Sequence, residues 1–217
     1  MRWSDEECDA AKKRLMSEAS GVVLEIGAGS GENLVWYQKE KVSNCIGGQY
    51  LRNCDNADEL TITAVEPFAG FYPDLQAAIL RSKLQDVYTI APCSISDQAT
   101  LKQHGIGEST LDTIVCIQCL CSCPEPEKLI VDLHRWLKPG GKLLIYEHVL
   151  SDDPITRFFQ MVWTKCGWRR LFLDCEMTRP LDVWLSKLEW KEFEVERIRA
   201  EQGHLFPHAV GVFVKAE

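Results

Sequence analysis

The segment Val22-Val-Leu-Glu-Ile-Gly-Ala-Gly-Ser-Gly31 constrains this chain more than any other stretch. Its apolar run fits a strand buried on both faces. Gly27, Gly29 and Gly31 then permit a sharp turn with no Cβ in the way, so that a ligand can lie directly on the backbone. Glu32 to Glu40 reads as a helix, whose first turn offers free N–H groups. Strand, glycine turn and helix in this order open a nucleotide-binding α/β domain. The alternative is a tight strand-to-helix turn that holds nothing.

Charge narrows the ligand. The dinucleotide fingerprint Gly-x-Gly-x-x-Gly requires its third glycine one place later, where this chain has Glu32. A carboxylate there repels a pyrophosphate, and Glu25 before the turn adds a second negative charge. A cationic ligand suits the pair better, and S-adenosylmethionine, with a sulfonium, an ammonium and one carboxylate, meets that requirement. Leu60-Thr-Ile-Thr-Ala-Val-Glu66 reads as a second strand ending in an acid, placed to accept both ribose hydroxyls. Glu66 follows Gly31 at well beyond the usual gap of about 20 residues. Val42 to Glu59, rich in Gly, Asn, Asp and Cys, reads as a surface insertion that accounts for the excess.

The 217 residues suffice for one α/β domain, and no linker, repeat or low-complexity tract divides them, so residues 1–217 are read as a single domain. A net charge of −8 disfavours nucleic acid or an anionic membrane as partner. The small cluster of Lys165, Arg169 and Arg170, interleaved with Trp163 and Trp168, reads as a solvated face. No signal peptide is visible and no run reaches the ~18 apolar residues of a membrane span, so the expected location is the cytoplasm. Ten cysteines there are expected to be free thiols. Cys119, Cys121 and Cys123 alternate as on one face of a strand, without paired Cys-x-x-Cys spacing; small core residues or pocket lining is expected, and no metal site.

Periodicity predicts an N-terminal helix within residues 1–20, about Ser4 to Ala19, with Cys8, Ala11, Leu15 and Ala19 on one face. Strands are expected at Val22–Ile26, Thr61–Glu66, Val87–Ala91, Thr113–Ile117 and Gly141–His148, with helices near Glu32–Glu40, Gly70–Leu84, Ser96–His104 and Glu125–Trp136. In Leu137-Lys-Pro-Gly-Gly141 the proline stops the helix and a glycine supplies its left-handed cap. Residues 151–190 read as a helical segment on the acceptor side, and Phe193–Ala200 with Ala209–Lys215 as an antiparallel hairpin. Repeated β-then-α units imply a parallel sheet.

Glu25-Ile-Gly-Ala-Gly-Ser-Gly31, Glu66 and Leu137-Lys-Pro-Gly-Gly141, in that order, resemble the class I S-adenosylmethionine-dependent methyltransferases. The resemblance implies a Rossmann-like sheet of seven strands, ordered 3-2-1-4-5-7-6 with strand 7 antiparallel, and the cofactor over the carboxyl ends of strands 1, 2 and 4. Gly31-Glu-Asn33-Leu-Val-Trp-Tyr37, Leu120-Cys-Ser122, Glu147-His-Val149, Phe172 to Arg179 and Pro207 to Gly211 look, more narrowly, like the methyltransferase-like thiol S-methyltransferases of animals. Those relatives carry an apolar N-terminal membrane anchor and lack the Val42–Glu59 stretch, and this chain departs from them at both places.

By that resemblance, the Glu25–Gly31 turn, with Gly27, Ala28, Gly29 and Gly31, and Asn33 after it, would hold the methionine portion. Glu66 would hold the ribose, where the group commonly has Asp. Pro67 and Phe68 would pack on the adenine, Cys93 and Ser94 would meet its edge, and Ile117 and Gln118 would face the methionine chain and the reacting methyl. His148, at the end of strand 5, is the candidate proton acceptor or acceptor-orienting group; a hydrogen bond to a neighbouring loop is the competing role. Tyr37, Phe159, Trp163 and Phe206 are candidates for the acceptor pocket, although the Phe159/Trp163 pair at helical spacing fits a core equally. His204 and His208, flanking Phe206-Pro207, read as loop residues facing solvent, with entry of either into the site as the alternative. Arg179 either binds an acceptor carboxylate or braces the Asp174–Glu176 loop.

The expected reaction is methyl transfer to a small molecule, a thiol first. Methylation of a phenol or amine, and a protein that holds the cofactor without transferring, are the alternatives. A nicotinamide-linked oxidoreductase is disfavoured by Glu32 and by the Pro-Gly-Gly lead into strand 5.

Overall fold

The computed structural model describes residues 6–38, 60–201 and 203–217. In chain order the elements are α1 (Glu6–Ser17), β1 (Val22–Ile26), a 3₁₀ turn (Glu32–Trp36), β2 (Thr61–Val65), a second 3₁₀ turn (Ala69–Phe71), α2 (Tyr72–Arg81), β3 (Tyr88–Ala91), α3 (Gln98–Gln103), β4 (Leu111–Ile117), α4 (Pro126–Trp136) and β5 (Leu137–His148). There follow α5 (Pro154–Trp163), a π-helical turn (Thr164–Trp168), α6 (Arg169–Leu171), α7 (Leu181–Leu185), β6 (Trp190–Ile198) and β7 (His208–Lys215). The proposed insertion at 42–59 lies outside the described residues.

The strands form one sheet in the order β3-β2-β1-β4-β5-β7-β6. The pairs from β3 to β5 are parallel. β7 runs antiparallel between β5 and β6. This is the Rossmann-like sheet that the family resemblance implied. Two apolar clusters cover its faces. One gathers α4, α7 and the 119–123 turn around Leu143, Ile145 and Phe213; the other gathers α1 and α2 around Val23, Val115 and Tyr146. Cys8 and Leu15 of α1 are buried and Ala11 partly so, as the periodicity required; Ala19 is buried too but lies beyond the helix end.

Three local expectations differ. Of the helix expected over Glu32–Glu40, the described residues 32–38 contain a single 3₁₀ turn, because Tyr37 turns to extended backbone and sends its hydroxyl inward to Glu25. α4 is followed at once by the extended residue Leu137, so no glycine caps it. The left-handed Gly140 (φ +76°) instead lies within β5, beside the irregular register between β4 and β5. Cys119 to Cys123 form a turn rather than a strand, so their alternation places them on no common face. No helix among the described residues is long and apolar enough to cross a membrane.

Candidate active site

The carboxyl ends of β1 and β2 build a backbone cradle. Gly27, Gly29 and Gly31 all have positive φ, which side chains disfavour. Their surroundings differ. A Cβ on Gly27 would stand 2.8 Å from the Cys119 Cβ, and one on Gly31 would stand 2.7 Å from the Ala78 Cβ, whereas nothing lies within 4 Å of the Cβ position of Gly29. Two glycines therefore close the turn and the third leaves open space above it. Glu66 is tied into the same turn: Gly29 N donates to its Oε2 at 2.8 Å and Phe68 N to its Oε1 at 2.9 Å. Each carboxylate oxygen keeps acceptor capacity, so the pair can receive a vicinal diol. Pro67 and Phe68 beside it are exposed, leaving the Phe68 ring free to stack on a flat base. Cys93 is buried at the tip of β3, and the Ser94 hydroxyl meets that of Ser96 at 2.8 Å. Ala28 is buried and accepts from Gly31 N, and Asn33 is half-buried on the 3₁₀ turn. These features fit the nucleoside and amino-acid ends of S-adenosylmethionine.

Glu25 lies under the cradle rather than in it. It is buried, and its Oε2 accepts from the Tyr37 hydroxyl at 3.1 Å and from the Tyr88 hydroxyl at 2.8 Å. Burial pushes its carboxyl up to about 7, against the two phenol hydrogen bonds that favour its charge. Tyr37, a candidate for the acceptor pocket, is thus a buried partner of Glu25.

The carboxyl ends of β4 and β5 carry different chemistry. Glu147 is fully buried and accepts the backbone N–H groups of Cys119 (2.8 Å), Leu120 (2.9 Å) and Cys121 (3.2 Å). One carboxylate thereby shapes the whole turn after β4. Burial still raises its carboxyl above the usual range, with those three bonds opposing. Ile117 is buried, and Gln118 next to it sits in the left-handed region at φ +55°, at the site side of that turn. Its amide nitrogen lies 3.3 Å from His208 Nε2, and its Oε1 accepts from Lys12 of α1 at 3.4 Å.

His148 and His208 are directly opposed across β5 and β7, and their rings pack with centroids 4.3 Å apart. His208 belongs to a strand and is buried, contrary to the expectation of a solvated loop residue. Burial, and then the His148 charge beside it, push its imidazole down to about 2, so it is neutral at ordinary pH. His148 Nδ1 lies 3.7 Å from Cys121 Sγ and 3.5 Å from Cys175 Sγ, and the two sulfurs are 3.3 Å apart. Within this pair Cys175 is held below the usual thiol range by its bond with Cys121 and by His148, while Cys121 is pushed up.

The remaining acceptor candidates divide. Phe206 joins the cluster, edge-on to His148 at 6.3 Å and against Trp168 at 5.0 Å. Phe159 and Trp163 are half exposed, because α5 buries Thr156 and Gln160 instead. They stand in an exposed apolar group with Phe158, Met161 and Val162, so neither a core nor an enclosed pocket contains them. Arg179 braces: its Nη1 donates to the carbonyls of Leu120 (2.9 Å) and Cys123 (2.7 Å), and Nη2 pairs with Glu176. His204 packs edge-on to Phe206. A cleft of about 900 Å³ opens nearby, lined by Arg157, Lys165, Arg169, Asp174 and Glu176 among others.

Sequence reasoning missed Tyr88, Glu147, His208 and Cys175. Cys175 lay inside a matched stretch, Phe172 to Arg179, but nothing in its spacing pointed to Cys121. His208 could have been found from β-pairing, since it aligns with His148 once the hairpin register is known.

A family model described as a methyltransferase domain matches residues 2–205. Human thiol S-methyltransferase TMT1A is 24% identical over 197 residues, covering 89% of this chain and 70% of that protein. Human thiol S-methyltransferase TMT1B is 24% identical over 224 residues, covering 98% and 81%. Among solved structures, the 1,6-didemethyltoxoflavin-N1-methyltransferase of Burkholderia thailandensis, determined with S-adenosylhomocysteine, superposes with a TM-score of 0.60 at 17% identity over 99% of this chain and 81% of that one. The chain belongs to the methyltransferase domain family, and its sheet order and glycine cradle make it a class I S-adenosylmethionine-dependent methyltransferase.

Proposed function

We propose that this chain, acting as one methyltransferase unit over residues 1–217, methylates the sulfur of a small-molecule thiol. The observation that carries the reading is the absence of a free strong base among the described residues at the acceptor end. The buried acid there, Glu147, is committed to three backbone N–H groups, and Glu176 next to Cys175 pairs with Arg179; Glu25, under the cradle, is committed to two tyrosines. The other groups there are the His148 and His208 imidazoles, the Cys121 and Cys175 thiols, and the Lys12 ammonium that donates to Gln118 Oε1. An alcohol needs a strong general base, whereas a thiol of pKa about 8.5 is already several per cent thiolate near neutrality. The names of the two human relatives support the same acceptor class.

When bound, S-adenosylmethionine supplies an electrophilic methyl on a sulfonium. Glu66 holds the ribose diol, Phe68 the adenine face, Cys93 and Ser94 its edge, and the open backbone over Gly29, with Ala28, Gly31 and Asn33 about it, the amino-acid end. Ile117 and Gln118 orient the reacting centre, Gln118 being fixed by the Tyr146 carbonyl, which accepts its backbone N–H at 2.7 Å. Displacement at carbon requires acceptor, methyl and leaving sulfur in line, so positioning supplies much of the acceleration. His148 takes up the acceptor's proton or orients its sulfur, and Phe206 shields that sulfur from water. The eight described cysteines are all free, which supports a reducing compartment such as the cytoplasm.

A panel of thiols, phenols, alcohols and amines incubated with radiolabelled S-adenosylmethionine tests the acceptor. Label should appear on sulfur; label confined to oxygen or nitrogen overturns the reading.

A further inference from the structure

We propose that Cys121, Cys175 and His148 form a three-ligand site for a thiophilic divalent cation, zinc foremost, with a fourth coordination position open to an exogenous sulfur. The three donor atoms come from three separate segments: the turn after β4, the loop after α6 and the last residue of β5. They lie together within 4.8 Å. A tetrahedral zinc with Zn–S about 2.3 Å and Zn–N about 2.0–2.1 Å places its sulfurs about 3.8 Å apart and sulfur and nitrogen about 3.6 Å apart. The corresponding separations here are 3.3 Å between the sulfurs and 3.5 and 3.7 Å from sulfur to Nδ1. An ion enters with shifts of a few tenths of an ångström.

The surroundings fix the donors independently of any ion. Glu147 Oε2 receives Cys121 N, and the Cys121 carbonyl accepts Glu176 N at 2.9 Å, which ties the Cys175 loop to the β4 turn. Arg179 clamps that turn through two carbonyls. His148 is oriented by its tilted ring contact with His208, centroids 4.3 Å apart. Supporting interactions of this kind hold metal ligands in register. Two thiolates and a neutral imidazole balance the charge of a divalent cation, so burial of the complex carries no net charge. Two sulfurs and one nitrogen are a soft set that selects zinc over magnesium or calcium. Three protein ligands, rather than four, are the arrangement of zinc sites that bind a further group.

Resting on the thiol-acceptor reading, the open position would take the acceptor. Its S–H bond breaks, the proton passes to solvent rather than to His148, which as a ligand keeps the role of orienting the sulfur, and a metal–sulfur bond forms. The sulfur then attacks the methyl carbon, the bond to the donor sulfur breaks with its electron pair, and the neutral thioether, a poorer ligand, departs.

The test uses the full chain, reduced, metal-stripped and anaerobic, with no acceptor present. Titration with Co²⁺ should give thiolate-to-cobalt charge transfer and the intense d–d bands of four-coordinate cobalt at one ion per chain, displaced by Zn²⁺. Cys121→Ser and Cys175→Ser should each abolish these bands, His148→Ala should weaken binding at least tenfold, and Cys166→Ser, an exposed cysteine outside the cluster, should bind as the parent does. S-adenosylhomocysteine affinity, read by calorimetry, reports that each variant is folded. Absence of the bands in the folded parent, or their persistence in the folded Cys121 and Cys175 variants, overturns the site. Metal uptake is read without turnover, so its failure leaves the thiol reading intact, and a non-thiol acceptor leaves the metal site intact.

Discussion

Glu66 and His148 both stand at the ends of strands in one sheet, yet the chain holds them by different means. Glu66 is gripped by backbone: two main-chain N–H groups fix its two oxygens, and glycines shape the space above it. His148 is gripped by side chains drawn from distant segments, namely His208, Phe206, Cys121 and Cys175. Backbone grips tolerate no insertion of atoms, while side-chain grips can be exchanged one residue at a time. A common donor and a changing acceptor are what such a division accommodates.

The largest effect that would sharpen this contrast is at Gly31. Gly31→Ala should destabilise the fold by about 3–5 kcal/mol in urea denaturation, from overpacking against Ala78 and Leu75 together with strain at φ +79°. A loss under 1 kcal/mol would mean that the cradle is plastic.

Glu25 comes next. Its carboxyl rises from 4.5 to about 7 on folding, so between those values the native state binds a proton that the unfolded chain does not. Stability from this group is therefore fullest below pH 4.5 and declines as pH climbs to 7, by about 3 kcal/mol. Glu25→Gln should remove that part of the decline in denaturation series from pH 4.5 to 8; an unchanged slope would locate the titration elsewhere.

Glu66→Ala should cost about 1.5–3 kcal/mol of S-adenosylhomocysteine affinity in calorimetry, the order of lost hydrogen bonds to a charged group, with little change in acceptor KM. Equal losses for both ligands would erase the distinction between the two ends.

The smallest effects belong to α5. Phe159→Ser and Trp163→Ser should each shift stability by at most about 0.5 kcal/mol, since both rings are half exposed. Acceptor KM unchanged in both would remove these positions from the acceptor surface.

The same division decides what could be read from sequence. The parallel strands, the glycine turn and the acid after β2 were legible because they are local: an apolar run, a turn and a charge within a few residues of one another; the order of the strands came from the family resemblance instead. Its glycines announce the cradle because backbone geometry restricts residue type. The acceptor end was only half legible. His148 and Phe206 were named from the sequence and the structure packs them together, but their partners Cys175 and His208 depend on loop docking and hairpin register, neither of which leaves a periodic trace. Tyr37 went astray because an aromatic near a ligand turn looks alike whether it faces the ligand or the acid beneath it. The 3₁₀ turn replaced the expected helix for that same reason, the pull of Tyr37 toward Glu25.

The position of β7 carries a consequence for biosynthesis. The strand that slots between β5 and β6 is translated after both, and it delivers His208 to the wall beside His148. A nascent polypeptide halted before this strand would already carry Glu66 and the glycine turn while lacking His208. The ring that packs on His148 is therefore among the last to be made.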